Sequence, residues 1–544
     1  MALNTSHLWA LYQKHLTRRA VVEPLWQDLA RFEFPDRMTT LGVASPGESL
    51  TDELLDSTAV FSAQVLAASL QAGLTNQAIK WFGLRPTDRN LLASDEVQLW
   101  LEDTNMRMLD AFSSSNFGAE SSEMYRDLGV FGNAALFVGE NPKQGPVVSG
   151  NSFRGLRFEA VPVGAFTIDE DGNGRVNKFF YRVRLSVGAV ADRWGAQNLS
   201  EEAQKLNKEN PVTEIWMLCF VSPRGYISGL KARLPFTSVW MEEKTKHIVN
   251  ESGYRTFPFA VPRWAKTGGQ VYGNGPGMVA LPEVKGLNKT IELTLKSLAI
   301  AVQPPLKSRL NSVIGSVDVS AGGLTILRNM NDLEELVTRA DFAAGDLKIQ
   351  DMRQSIRRIF YVDQLLQLLS RETPQMTATE VVAKMQLLRE IVGPAFVRLE
   401  SEFLNPVIDR VFDIMLRAGA FLPVPAELRN AEISVDYESP IGLAKRSNEL
   451  TAIDRVLIRA QELATIGRAD VLDRLNADDI LKKTSEISGA PKTILLTDEE
   501  TSAVRTQRET REAAQGTLSA LQQGSEVARN LAPLAKVAQE AGAE

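Results

Sequence analysis

Between Val381 and Ile414 the apolar residues hold one helical phase across two prolines. Val381, Met385, Leu388, Val392, Phe396, Leu399, Phe403, Val407, Val411 and Ile414 recur in steps of three or four, which is one stripe on an α-helix. Pro394 and Pro406 lie inside it, and each removes a backbone hydrogen bond and bends a helix. Because the stripe stays in phase, the spacing predicts one long kinked helix of about 58 Å at ~1.5 Å per residue. The other reading is two packed helices broken near Gly393-Pro394. Upstream, Thr373-Pro374 disfavours α geometry at Thr373 and predicts an extended loop. Thr377 or Thr379 is then the expected helix cap, with Glu380 in the first turn.

The chain around this helix has 544 residues, 44% hydrophobic and 23% charged, enough for two or more cores. A net charge of -7 argues against a surface that grips nucleic acid throughout, while leaving local basic faces open. The one cysteine, Cys219, sits in the run IWMLCFV and is expected in a buried strand; it excludes an intramolecular disulfide framework and suits a reducing cytoplasm. No run of 18 apolar residues occurs, and MALNTSHLWALYQKH lacks the apolar core of a signal peptide. A product soluble and intracellular at birth, with no membrane partner, is expected.

Residues 5–34 read as one helix, and 54–84 as a second helix ending near Gly73 followed by a short strand. Helices are expected from Glu96 to Ser114 and from Ala119 to Phe131, with a turn at Gly132-Asn133. Strands follow: ALFVGE, then GLRFEAVPVGAFTIDEDGNGRVNKFFYRVRLSV with a hairpin at Asp171-Gly172-Asn173-Gly174, then TEIWMLCFVSP. A short helix in SVGAVADRWG separates the last two. From Met278 to Val302 a helix carries Leu281, Val284, Leu287, Ile291, Leu295, Leu298 and Val302 as its stripe, with Lys285, Lys289 and Lys296 around Glu292 on a polar face. An irregular region, 305–345, leads to a second helix from Leu347 to Ser370, with Arg353 and Arg357 on one face. Beyond Pro425, AEISVDYESPIG reads as a strand returning to the β-rich body. Helices are expected at 440–465, 468–483 and 497–540, the last polar, alanine-rich and part disordered.

No catalytic constellation is legible. His7, His15 and His247 are scattered, the first two expected on helix surfaces, and no G-x-S-x-G, H-E-x-x-H or paired-cysteine spacing occurs. Asp169, Asp171 and Asn173 faintly resemble a calcium loop, but Phe180 stands where its bidentate Glu belongs. Gly273, Gly275 and Gly277 lack the Lys-Ser/Thr of a phosphate loop, so backbone freedom at a domain junction is the expected role. Neither an enzyme activity, a metal nor a cofactor is expected.

TPQMTATEV, GPAFVRLESEFLNPVIDRVFDIM and RAGAFLPVPAEL, with the RW…YG.GP turn of 258–289 and the W…ARF.FP opening, resemble the portal proteins (head-to-tail connectors) of short-tailed, T7-like bacteriophages. The resemblance extends over most of the chain. It implies an α+β, mainly helical fold: a wing over 1–277, a first stem helix at 278–303, a clip at 304–346, a second stem helix at 347–370, a channel loop at 371–379, the long spine helix and return to the wing at 380–436, and a helical crown and tail at 437–544. It implies a dodecameric ring at one capsid vertex of the virion, assembled in the host bacterial cytoplasm. Double-stranded DNA would be packaged and ejected through its channel, with terminase, tail adaptor and tail tube, major capsid and scaffolding proteins as partners.

A conduit must not hold the duplex firmly, since neutralising many phosphates releases counterions and binds DNA tightly. An acidic chain with sparse basic rings meets that need. Lys285, Lys289, Lys296, Arg353 and Arg357 are the expected channel-facing residues of the stem, or else an ordinary solvated face or ion pairs between subunits. In the channel loop, Arg371, Thr373, Gln375 and Thr377 would make light phosphate contacts, Met376 a flexible tip, and Glu372 would repel the backbone. Lys307, Arg309 and Arg328 are the clip's candidates for docking terminase and later the tail adaptor. The alternatives are another virion assembly or scaffold protein without a channel, or a soluble enzyme whose site is not legible.

Overall fold

The computed structural model describes residues 5–45, 47–77, 80–88, 91, 94–141, 153–226, 234–310, 312–319, 324–329, 331, 333–335, 342–369, 391–428, 433–436, 453–463, 465, 475–488 and 500–511. They belong to two units: Met1–Thr87 with Trp100–Pro440, and Asp88–Leu99 with Ile441–Glu544. The fold is mixed α and β and mainly helical.

In the first unit, the segment expected as one helix over 5–34 is two, α1 (Thr5–Arg19) and α2 (Glu23–Phe32). Pro24 explains the break: it has no N–H for the carbonyl of Ala20, yet fits the first turn of a new helix. Leu8, Tyr12, His15 and Arg19 form the buried face of α1. After α3 (Thr58–Leu74), strand β1 (Gly83–Pro86), α4 (Asp95–Ser113) and α5 (Phe117–Phe131), the chain turns at Gly132, whose φ of 68° is the left-handed geometry that closes helices. Helix α4 begins in the second unit and ends in the first.

The β-rich part holds two sheets. Strands β2 (Leu136–Glu140), β3 (Leu156–Ala160) and β9 (Phe259–Ala260) form one, in the order β3-β2-β9. The other is an antiparallel meander of β4 (Phe166–Glu170), β5 (Val176–Ser186), β6 (Glu214–Pro223), β7 (Phe236–Glu242) and β8 (Ile248–Tyr254). The hairpin at Asp171 forms as expected: its carboxylate accepts the amides of Asn173 (2.8 Å) and Arg175 (2.9 Å). Between β5 and β6 lie α6 (Val187–Trp194), which Gly195 ends, and α7 (Glu201–Glu209). One face of this sheet, through Phe180, Leu218, Phe220, Val239 and Met241, packs under Leu8 and Tyr12 of α1. Cys219 is buried in β6, and burial pushes its thiol pKa up.

Helix α8 (Pro276–Val302) packs along α9 (Phe342–Ile359) and, near its start, against α2, α3 and α5. The second helix expected to run from Leu347 to Ser370 begins earlier and divides at Tyr361, whose φ is 59°, before α10 (Val362–Leu369). The connection expected to be irregular contains two antiparallel ribbons: β10 (Leu306–Ser308) with β13 (Leu333–Glu335), and β11 (Val313–Ile314) with β12 (Ile326–Leu327). Strands of two or three residues are too short to display a period of two.

The long stripe also resolves differently. Residues 391–392 are helical, Gly393 leaves the helix at φ 48° and ψ −118°, and α11 (Pro394–Leu399) starts anew. One continuous helix is therefore corrected to two segments: the proline suits a first turn and the glycine a backbone angle other residues avoid. Beyond it the helix is continuous. A π-turn, Glu400–Leu404, joins α11 to α12 (Asn405–Arg417). Pro406 offers no N–H to the carbonyl of Glu402, and the widened turn accommodates that loss. Val392, Leu399, Phe403, Val407, Val411 and Ile414 are buried, as the stripe requires; Val381, Met385 and Leu388 lie outside the described residues. Strand β14 (Ile433–Asp436) pairs with β1, not with either larger sheet.

The second unit contains helices at 453–463, Ala477–Ser488 and 500–511. The middle one starts later than expected and runs past 483, capped by Asn476, whose side-chain oxygen accepts the Asp479 amide at 3.3 Å. Arg505 grips Asp478 through two bonds of 2.6 and 2.8 Å. Residues 441–452 and 512–544, parts of the expected terminal helices, lie outside the described residues.

Candidate functional site

The base of α8 is built on close backbone packing. A Cβ on Gly273 would stand 2.8 Å from the Gly132 carbonyl oxygen, and one on Gly275 2.6 Å from the Gly132 amide nitrogen. Neither of these glycines, nor Gly277, has a positive φ. The expected role in backbone freedom is thus corrected: these positions need room, not unusual angles. Asn133 closes the same contact, accepting from the Gly273 amide (2.7 Å) and donating to the Gly273 carbonyl (2.9 Å).

Beside it lies a buried charge cluster. Arg263 is fully enclosed, and its guanidinium grips the Glu402 carboxylate with Nε at 3.0 Å and Nη2 at 2.6 Å. It also bonds Glu170 and donates to the carbonyls of Val271 (3.0 Å) and Gly174 (2.9 Å). Burial by itself would lower its pKa; the bonds and charges of Glu402 and Glu170 outweigh that and hold it above the ordinary value. Three elements therefore meet at one cation: the β4–β5 hairpin, the approach to α8, and the π-turn. Lys266 adds a bond to Glu170 at 2.6 Å.

Further polar contacts fix α8 and α9 to the N-terminal helices. Asn288 accepts the Leu55 amide at 2.8 Å. Asp56 accepts the Thr58 amide at the start of α3 (2.9 Å) and pairs with Arg353 of α9 (2.8 Å). Burial would raise the Asp56 pKa, but bonds from Thr58 and Arg353 hold it below the usual carboxylate range. Lys285 pairs with Asp28 of α2 at 2.6 Å. Glu33 is enclosed near Gly277 and Val130 with neither oxygen hydrogen-bonded, and burial pushes its carboxyl well above the usual range.

Farther along α8, Glu292 bonds Lys289 (2.9 Å) and Lys296 (2.5 Å), which hold its pKa down to about 2. Arg357 is exposed on α9. Lys307 of β10 pairs with Glu334 of β13 at 2.7 Å; Arg309 and Arg328 are exposed, with Ser312 bridging their backbones. The loop residues Arg371, Glu372, Thr373, Gln375, Met376 and Thr377 lie outside the described residues. Sequence reading assigned no role to Arg263, Glu170, Glu402, Asp56, Asn288 or Glu33, although Arg263, Glu402 and Glu33 stand within the motifs that carry the resemblance.

The run that faintly resembles a calcium loop, where no metal is expected, has its first carboxylate in ion pairs. Asp169 pairs with Arg18 (2.9 Å) and Lys178 (3.0 Å). Among the described residues no group of three or more His, Cys, Asp or Glu is placed to hold a metal, and no helix is long and apolar enough to cross a membrane. His15, expected on a helix surface, is instead buried 4.6 Å from the Phe180 ring, and burial lowers its pKa to about 4. Its position on the apolar face of α1, over the sheet, explains the correction.

The apolar surface is unevenly covered. Leu281, Val284 and Leu287 of α8 are buried, whereas Leu295, Leu298 and Val302 on the same stripe are exposed, Val302 by 73%. Exposure continues through Leu310 (94%), Val319, Leu324 and, on α9, Leu347. Together the features describe a helical pair held to the N-terminal helices by polar contacts, whose far end carries a bare apolar face and paired charges.

A chain so built is an assembly component, and its sequence says of which kind: residues 5–495 match the family described as bacteriophage head to tail connecting protein, and the chain belongs to that family. It is 28% identical over 496 residues to a probable portal protein of Bordetella phage BPP-1, covering 89% of this chain and 87% of that one. It is 27% identical over 507 residues to the portal protein of Salmonella phage epsilon15, covering 90% and 88%. A solved structure described as the neck of an empty GTA particle computed with C6 symmetry matches 73% of this chain and 86% of its own at 11% identity, with a TM-score of 0.35, too slight a likeness to bear on the fold.

Proposed function

We propose that this chain is a portal protein: a ring at one capsid vertex, through which double-stranded DNA is packaged and ejected, and to which terminase and then the tail attach. The observation that carries the reading is the bare apolar face on the far half of α8 and the ribbons beyond it, on a chain of the connector family. A run of exposed aliphatic side chains on one helix face marks an interaction surface. In a ring the bare face of each copy meets a different face of the next copy, so a second copy of this chain is the occupant.

In this reading α8 and α9 are the stem and the β10–β13 and β11–β12 ribbons the clip. The meander sheet and helices α1–α7 form the wing, α11–α12 belongs to the spine, and residues 437–544 are the crown. Lys289, Lys296 and Arg357 face the channel, while Lys285 and Arg353 seat the stem on the wing through Asp28 and Asp56. Arg309 and Arg328, with the Lys307–Glu334 pair, dock terminase and the tail adaptor. Residues 371–379 form the channel loop, with Arg371, Thr373, Gln375 and Thr377 touching DNA lightly, Met376 at the tip, and Glu372 limiting the contact. Twelve copies, the capsid and scaffolding proteins as neighbours, and the virion vertex as location complete the proposal.

Replacing Gln375, Met376 and Thr377 by glycines is expected to leave rings intact and to impair packaging or retention of DNA in particles assembled with the variant. Normal packaging and retention by that variant would remove the loop's role.

A further inference from the structure

On α8, one carboxylate serves two lysines. Glu292 Oε2 accepts from Lys289 at 2.9 Å and Oε1 from Lys296 at 2.5 Å, three residues before and four after it, so all three side chains share one face. The group therefore carries one net positive charge where its lysines alone would carry two. Three other cations that the sequence places along the stem or clip are treated alike: Lys285 by Asp28, Arg353 by Asp56 and Lys307 by Glu334.

We propose that Glu292 limits the grip of Lys289 and Lys296 on the phosphate backbone of duplex DNA, keeping the stem a passage instead of a binding site. This rests on the channel reading above. The physical reason is an exchange of anions. A lysine that leaves Glu292 for a phosphate loses one negative partner as it gains another, so its net gain is small. A lysine without Glu292 gains the phosphate outright, together with the release of a DNA counterion. Bonds from both lysines keep Glu292 ionised far below neutral pH, so the restraint persists wherever DNA is packaged. Exposed ion pairs of this kind contribute little to folding, so the residue can be changed without losing the helix.

The test compares full-length rings of the wild type, Glu292→Gln, the Lys289→Ala/Lys296→Ala double variant and the triple variant, titrated with a short fluorescent DNA duplex at several salt concentrations. Glu292→Gln is expected to bind more tightly, with a salt slope steeper by ~0.9 for each added phosphate contact. That corresponds to about 3.5-fold more affinity lost per contact between roughly 50 and 200 mM salt. The triple variant is expected to lose the gain. If Glu292→Gln binds as the wild type does while the lysine double variant binds more weakly, the restraint is wrong and the lysines still face DNA. If neither variant changes binding, these residues do not face DNA, and both readings of them fall.

Discussion

The two halves of α8 carry one continuous apolar stripe and meet opposite fates. From Leu281 to Leu287 the stripe is enclosed by α2, α3 and α5 in a frame fixed by Asn133, Arg263 and Asp56. From Leu295 to Val302 the same pattern, on the same helix, lies bare. Local sequence chemistry does not separate them, since both halves have helical spacing and aliphatic side chains. What separates them is the rest of the chain, which surrounds the first half and leaves the second for something else. A periodic stripe therefore shows which face must be covered without showing whether the cover belongs to the same chain.

The contrast can be broken from its most firmly held end outward. Arg263→Ala leaves Glu170 and Glu402 facing one another without their shared cation, and a loss of about 3–5 kcal/mol is expected in denaturant unfolding. Leu287→Ala removes a fully packed side chain and should cost about 2–5 kcal/mol by the same measurement.

Glu33→Gln acts with the opposite sign. Glu33 is held neutral in the folded chain, so its contribution is fully present below the unfolded carboxyl pKa of ~4.3 and is lost as pH rises toward its raised folded value. The variant does not titrate and is expected to be the more stable of the two at pH 8, with the advantage vanishing near pH 4. A difference between the two proteins that does not change with pH would contradict the buried neutral carboxyl. Leu298→Ala is expected to have the smallest effect on folding, within about 0.5 kcal/mol, yet to weaken association between copies in concentration-dependent sizing. Equal unfolding costs for Leu287→Ala and Leu298→Ala would erase the distinction between the two halves.

Periodicity made the packed parts legible. Leu399, Phe403, Val407, Val411 and Ile414 were placed by their spacing alone, and the Asp171 hairpin by its turn residues. Local signals misled where two rules met at one place: at Gly393-Pro394 the in-phase stripe argued for continuity, and glycine geometry prevailed. The charge cluster was illegible for another reason. Glu170 and Glu402 lie 93 and 139 residues from Arg263, and no one-dimensional pattern connects positions so far apart. Lys289, Glu292 and Lys296 fall within two turns and could be read as a group; that Lys285 and Arg353 reach back to Asp28 and Asp56 could not.

The central claim is that a second copy of this chain covers the bare half of α8 within a closed ring. The most direct test is the native mass of the purified 60.0 kDa chain, with negative-stain images of the same fractions. Rings of about twelve subunits around a central hole are expected, with the bare face of each copy seated on a different face of the next, the head-to-tail contact that closes a ring. A compact dimer or tetramer without a hole, with Leu295, Leu298 and Val302 buried between its copies, would contradict it.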